Sequence, residues 1–256
     1  MSNIKIECMD NLEFMKGIED NSIDLIYGDI LYATGRNFGD YQDLKSVRSV
    51  VEEHYIPRVK EMHRILKNTG SIYLQMDYRI VHWIRCIMDD IFGYDNFRNE
   101  IIWCYGLGNN NKKINWQDKH DNILFYSKGK NYIWNDMRGN VTKQMEEKYC
   151  HKDEYGNYMM SYGKKYYLKG GKRIGNVWDI PNLSSTDKER SGYNTQKPKA
   201  LIERIIKASS NEGDLVADFY LGSGTTAEVC KDLNRSFVGC DINLNAVEIA
   251  KNRCGI

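Results

Sequence analysis

The sequence predicts an α/β fold built on one mostly parallel sheet with a circularly permuted strand order, and three observations predict it. An apolar run, Leu215 to Ala217, leads into D-F-Y-L-G-S-G-T-T at 218–226 and then a helical segment over 227–233, so strand, glycine turn and helix start are consecutive. Upstream, β-type apolar runs alternate with helical periodicity from the N-terminus to about residue 91. Only 34 residues (256 minus 222) follow Gly222, too few for the remaining strands of a doubly wound sheet, so those strands precede the turn.

Taken in order, I-K-I-E-C at 4–8 reads as a short strand, followed by a short helix carrying Leu12, Phe14 and Met15 with Asp10 at its start, where an Asp caps the free N–H groups. A turn at Asn21 and Ser22 precedes a second buried strand, S-I-D-L-I-Y-G-D, which ends in D-I-L-Y at 29–32. A polar, glycine-punctuated loop follows. Residues 47–66 have helical periodicity with Pro57 inside, 68–70 stop that helix, S-I-Y-L-Q-M is a strand, and 80–91 is helical again. Two strand-like runs, 97–105 and 119–128, flank a loop rich in Asn, Lys and Gly. Periodicity fails from about 136 to 191, and Y-N-T-Q-K-P at 193–198 then opens an amphipathic helix with Leu201, Ile202, Ile205 and Ile206 on one face.

Composition bounds the function classes. A 41% apolar content is enough for a sizeable core, in one domain over 1–256 with an insertion at about 136–191. No apolar run approaches eighteen residues and no signal-peptide pattern opens the chain, so a soluble, cytoplasmic protein without membrane contact is expected. The seven Cys include no C-x-x-C and no Cys/His spacing that suits zinc, so reduced thiols and no metal are expected. A net charge of +1 does not announce a nucleic-acid binder, and any basic surface must be local. Y-G-K-K-Y-Y-L-K-G-G-K-R at 162–173 supplies one, with Lys164, Lys165, Lys169, Lys172 and Arg173, no acid and interleaved rings that suit a phosphate-tracking, stacking surface. A solvated charged loop is the plain alternative there. The same two readings apply to Arg36 in the loop after Tyr32, and to Lys112 and Lys113 in the Asn-rich loop.

The glycine turn by itself is ambiguous. Gly222 and Gly224 admit backbone angles closed to other residues, and a helix start after them aims N–H groups at a ligand. With Ala227 they also satisfy the loose dinucleotide pattern, while the lack of a following Lys excludes a Walker loop; a turn that binds nothing stays open. S-F-V-G-C-D at 236–241 reads as a buried strand ending in an acid that can accept both hydroxyls of a ribose, which favours a nucleoside-type ligand.

Q-K-P, then D-F-Y-L-G-S-G-T-T, then the acid Asp241, all behind an upstream D-I-L-Y, resembles the permuted β-class amino-methyltransferases of DNA, which use S-adenosylmethionine. The likeness spans nearly the whole chain. It implies a Rossmann-like methyltransferase fold with a target-recognition insertion, and methyl transfer to N6 of adenine in double-stranded DNA. It also implies a cofactor site made by Asp10, Lys197, Pro198, Asp218, Phe219, Tyr220, Gly222, Ser223, Gly224, Thr225, Thr226 and Asp241, with an aromatic of the turn near the sulfonium. Asp29 and the carbonyl of Ile30 would hold the target amine, and Tyr32 would stack on the extruded base. Ile30 and Leu31 stand where the family has two prolines. N4-cytosine methylation, a non-catalytic DNA-binding or partner subunit, and a nicotinamide dehydrogenase are the rival readings, the first disfavoured because such members more often carry Ser at position 29. A homodimer and a cognate restriction endonuclease are expectations from the resemblance alone.

Overall fold

The structure, a computed structural model, describes residues 3–37, 42–106 and 116–256. Its larger unit comprises Met1–Asn135 and Asn176–Ile256, and a smaller one comprises Asp136–Gly175. In chain order the strands are β1 (Ile4–Cys8), β2 (Ile23–Asp29), β3 (Leu66–Met76), β4 (Phe97–Cys104), β5 (His120–Ser127), β6 (His151–Asp153), β7 (Gly156–Ser161), β8 (Lys164–Tyr167), β9 (Val177–Asp179), β10 (Leu215–Asp218) and β11 (Ser236–Asp241). The helices are α1 (Asn11–Lys16), α2 (Arg48–Ile65), α3 (Val81–Phe92), α4 (Lys143–Lys148), α5 (Lys199–Ser209), α6 (Thr225–Asp232) and α7 (Leu244–Cys254).

The larger unit holds an eight-stranded sheet in the order β1-β11-β10-β2-β3-β5-β4-β9. The pairs from β1 through β3 are parallel, β5 runs antiparallel to both β3 and β4, and β9 lies parallel to β4. The mostly parallel, permuted sheet is therefore as the sequence predicts. Helix α2 packs against both α1 and α3, and α6 against both α5 and α7, giving two helical groups. The first six residues of β2 are buried, as a central strand covered on both faces requires. Beside β2 lies β10, from which the chain order leads outward through β11 and β1 on one side and through β2 and β3 on the other. Such a reversal leaves a crevice beyond the carboxyl ends of the two strands.

Two boundaries differ from the sequence reading. Residues 68–70 do not stop a helix: α2 ends at Ile65, Leu66 turns directly into extended backbone (φ −70°, ψ 136°), and β3 runs through Gly70. Gly70 is needed there because a Cβ would stand 2.9 Å from the Asp24 carbonyl oxygen. In the stretch where periodicity fails, residues 176–191 belong to the larger unit, while β6, β7 and β8 form an antiparallel sheet within the smaller one. These three strands carry no fully buried residue, so no apolar alternation marks them in the sequence.

Candidate active site

The crevice is a cavity of about 670 Å³ in the larger unit, walled by the turn after β10, the ends of β2 and β11, the start of α1, part of α2 and the segment before α5. Of the predicted site residues, Asp10, Asp29, Ile30, Leu31, Tyr32, Lys197, Asp218, Phe219, Tyr220, Gly222, Ser223, Thr225, Thr226 and Asp241 line it. Pro198 and Gly224 stand outside that lining and act on its shape. Pro198, with φ −68°, is the buried N-cap residue of α5, and Gly224, with φ +77°, is the N-cap residue of α6.

The glycine turn is held by its own residues and by the motifs that flank it. Asp218 is buried; its Oδ1 accepts from Tyr220 N at 3.0 Å and its Oδ2 from the Thr226 hydroxyl at 2.6 Å. Burial pushes the Asp218 carboxyl up to about 7, against the lowering effect of these two bonds. Asp241 accepts from Gly222 N at 2.9 Å through Oδ2 and from Asn243 N at 2.9 Å through Oδ1. The Thr225 hydroxyl donates to the Lys197 carbonyl at 3.2 Å, joining Q-K-P to the turn. Arg253 of α7, which sequence reasoning missed, donates to the Ser223 carbonyl at 2.8 Å. Phe219 is buried with its ring 6.2 Å from Phe14, leaving Tyr220 as the more accessible aromatic.

At the far end of the wall Asp10 fulfils the cap role, accepting from Leu12 N at 2.9 Å and Glu13 N at 3.3 Å, while its other oxygen accepts from Arg58 at 2.8 Å. Arg58 also holds Asn11 at 2.6 Å. Beside it the half-buried His54 lines the cavity, and its buried Nε2 has no hydrogen-bond partner among the described residues. Burial, then the Arg58 charge, lowers His54 to about 4, so the imidazole is neutral. An open glycine turn, a neutral polar ring lacking a partner and an acid at the end of β11 fit a nucleoside bearing a charged tail.

Asp29 ends β2 and stands at the centre of a polar network. Its Oδ2 receives the Lys197 ammonium, and its Oδ1 accepts from the Tyr32 hydroxyl at 2.7 Å. The same hydroxyl lies 2.8 Å from Asp121 Oδ2, and Gln75 Nε2 donates to that Asp121 oxygen at 2.9 Å and to Tyr32 at 3.2 Å. Tyr27 closes the chain, donating to Gln75 Oε1 at 2.8 Å. The Lys197 ammonium sits 5.7 Å over the Tyr32 ring, so the ring is gripped at its hydroxyl and has a cation over one face.

The backbone of D-I-L-Y is fixed without proline. Ile30 N donates to the Gln75 carbonyl at 3.1 Å, and the Leu31 carbonyl accepts from the Tyr55 hydroxyl at 2.9 Å. Beyond them Ala33 adopts φ +54°, unusual for a residue with a side chain. The buried Asp43 holds that turn, accepting from Ala33 N at 3.0 Å, Thr34 N at 2.8 Å, the Thr34 hydroxyl at 2.6 Å and Leu44 N at 2.7 Å.

Asp43, Gln75 and Asp121 escaped the sequence reading. The signals were a glutamine inside the otherwise apolar S-I-Y-L-Q-M and an acid entering the strand I-L-F-Y, each a polar group that must find a partner when buried. The basic stretch at 162–173 also looks different once folded. Lys165 pairs with Asp153 at 2.6 Å and Arg173 with Asp136 at 3.0 Å, so acids from elsewhere in the smaller unit meet two of its five charges. Lys164, Lys169, Lys172 and, in the larger unit, Arg36 are exposed; Lys112 and Lys113 lie outside the described residues. Among the described residues no group of His, Cys, Asp or Glu is arranged to hold a metal, and no helix is long and apolar enough to cross a membrane. The seven cysteines are free thiols.

Residues 23–252 match the model of the DNA methylase family of the N6/N4 type. The chain is 34% identical over 252 residues to the type II methyltransferase M.HpaI of Haemophilus parainfluenzae, covering 97% of this chain and 73% of that protein. It is 30% identical over 252 residues to the DNA adenine methyltransferase YhdJ of Escherichia coli (strain K12), covering 96% and 81%. In fold it is similar to the PvuII DNA methyltransferase, described as cytosine-N4-specific, with a TM-score of 0.68 at 17% identity over 99% of this chain and 86% of that one.

Proposed function

Because the chain belongs to the N6/N4 DNA methylase family, whose methyl donor is S-adenosylmethionine, we propose that it methylates N6 of adenine in double-stranded DNA at a specific site. The observation that carries this reading is that Asp29 and Ile30 line the same cavity as the glycine turn. An exocyclic amine is a poor nucleophile because its lone pair is delocalised into the ring. A carboxylate and a carbonyl accepting its two N–H bonds favour a pyramidal nitrogen with the lone pair released. The bound cofactor would supply an electrophilic methyl group. Asp241 and the glycine turn would hold its nucleoside and tail, and Tyr32 would carry the base on its ring.

Two features favour turnover over a non-catalytic subunit. The restraint that two prolines would give to positions 30 and 31 is replaced by the Gln75 and Tyr55 hydrogen bonds and the Asp43 clamp. The ammonium of Lys197 keeps a compensating charge beside Asp29 inside a half-buried site. Adenine rather than cytosine is favoured by the acid at position 29 and by the described activity of YhdJ. The fold shared with a cytosine-N4 enzyme keeps N4 methylation as the second reading. Exposed Lys164, Lys169 and Lys172 would contribute to DNA contact.

The test is transfer of labelled methyl from S-adenosylmethionine to unmodified double-stranded DNA, followed by a nucleoside digest. Methyladenine is expected from the wild type. Asp29→Ala should lower kcat by about 10²–10³ or more, by analogy with loss of an oxyanion-type partner, with cofactor binding kept. Methylcytosine would move the reading to N4, and cofactor binding without product on varied DNA would mark a non-catalytic protein.

A further inference from the structure

We propose that Asp121 is a positioning residue for methyl transfer, holding a proton that it donates to Tyr32 so that Tyr32 can spend its own hydrogen on Asp29. Asp29 Oδ1, the Tyr32 hydroxyl and Asp121 Oδ2 lie in sequence at 2.7 and 2.8 Å, both hydrogen-bond distances. Each of these two contacts needs a hydrogen, and one phenol supplies one. Gln75 adds N–H donors to the Tyr32 and Asp121 oxygens but puts no hydrogen between them. The second hydrogen therefore sits on a carboxyl.

Which carboxyl carries it follows from the surroundings. Asp29 receives the Lys197 ammonium directly and is half-buried. Asp121 is 5% exposed and makes no ion pair among the described residues. The groups facing it are Tyr32 and Asp29 after and at the end of β2, Gln75 of β3 and Asp77 just after it, Tyr105 beyond β4, and Lys197 before α5. Tyr105 donates to its Oδ1 at 3.3 Å. Burial raises the Asp121 carboxyl above its ordinary range, with the Asp29 charge acting in the same direction and Lys197 and the Tyr32 and Gln75 bonds against it. The hydrogens then run one way, from Asp121 to Tyr32 to Asp29. This direction fixes the tyrosine ring at its hydroxyl and leaves Asp29 an acceptor.

The consequence for catalysis rests on the proposed methyl transfer; the proton itself does not. Infrared difference spectroscopy of the whole wild-type protein against Asp121→Asn at neutral pH, with and without ¹³C-aspartate, should show a protonated carboxyl band that shifts with the label and belongs to the wild type alone, the contribution of the raised Asp218 carboxyl cancelling in the difference. Absence of that difference band overturns the proposal, and this readout decides even if no DNA substrate is methylated. In turnover, Asp121→Leu should lower kcat by about ten- to a hundredfold, as for loss of a hydrogen bond in a charged network. Because the protonated form is the working one, wild-type kcat should fall as pH rises through the raised Asp121 value. Asp121→Asn, which donates through its amide and cannot titrate, should lose that alkaline limb. A variant with the limb unchanged at the same pH would show that Asp121 does not position Tyr32, and calorimetry of cofactor binding confirms that each variant is folded.

Discussion

The two sides of the cavity are built by opposite means. On the cofactor side, the turn Asp218–Thr226 makes much of its own shape, with Asp218 closing onto Tyr220 N and Thr226 within eight residues and Gly224 taking a left-handed conformation. On the target side, D-I-L-Y makes almost none of its own. Gln75, Tyr55, Asp43, Asp121 and Lys197, drawn from β3, α2, a loop, β5 and the segment before α5, fix its backbone, its acid and its ring. A self-closing motif should fail by unfolding its turn. A motif held from outside should lose rate while the turn and its ligand survive.

The strongest way to break the first side is Gly224→Ala. The added Cβ would stand 2.4 Å from the Ala250 Cβ, at a φ of +77° that a side chain resists. The two effects together should cost about 2–5 kcal/mol of stability. Chemical denaturation reads this directly, and calorimetry should show cofactor affinity falling with it. A stable variant with unchanged affinity would mean that the turn is not closed against α7 as the contact implies.

A smaller effect is expected on the second side from Asp43→Ala, which removes the acceptor of four hydrogen bonds that keep Ala33 at φ +54°. Loss of a charged hydrogen-bond partner should slow methyl transfer by about ten- to a hundredfold. The affinity for S-adenosylmethionine should fall less than kcat, and an equal fall in both would erase the contrast between the two sides.

The smallest and most discriminating change is Ile30→Pro. Proline supplies a fixed φ but removes the N–H that donates to Gln75, about 1 kcal/mol lost against about 0.4–1 kcal/mol gained from a stiffer unfolded chain. Stability and kcat should therefore both stay close to wild type. A large rise in kcat would show that the hydrogen bonds restrain D-I-L-Y less well than prolines do.

How much of this was legible beforehand follows the same division. The glycine turn, the acid at the end of β11 and the amphipathic α5 are local patterns of period, cap and turn, and each lies where its residues predict. The placement of Asp29 at a strand end was equally readable, because β2 is a buried, mostly apolar run, broken only by Asp24, that stops at an acid. The three strands of the smaller unit were not readable, since a sheet without a buried face leaves no alternation to detect. Asp153 and Asp136 beside the basic stretch were likewise invisible, because charge balance there is made by residues distant in sequence.

The sequence by itself determined the α/β class and the permuted order of the motifs, and its resemblance to a known family pointed to many of the residues that line the cavity. Periodicity, turn chemistry and the short tail after Gly222 are properties of the chain taken one stretch at a time. Only the tertiary structure decided what those residues touch. It brought Lys197 onto Asp29 across 168 positions and Asp121 onto Tyr32 across 89. It also put a backbone hydrogen bond where proline was missing. A buried polar group must find a partner, yet nothing in its own neighbourhood of sequence says which one the fold will supply.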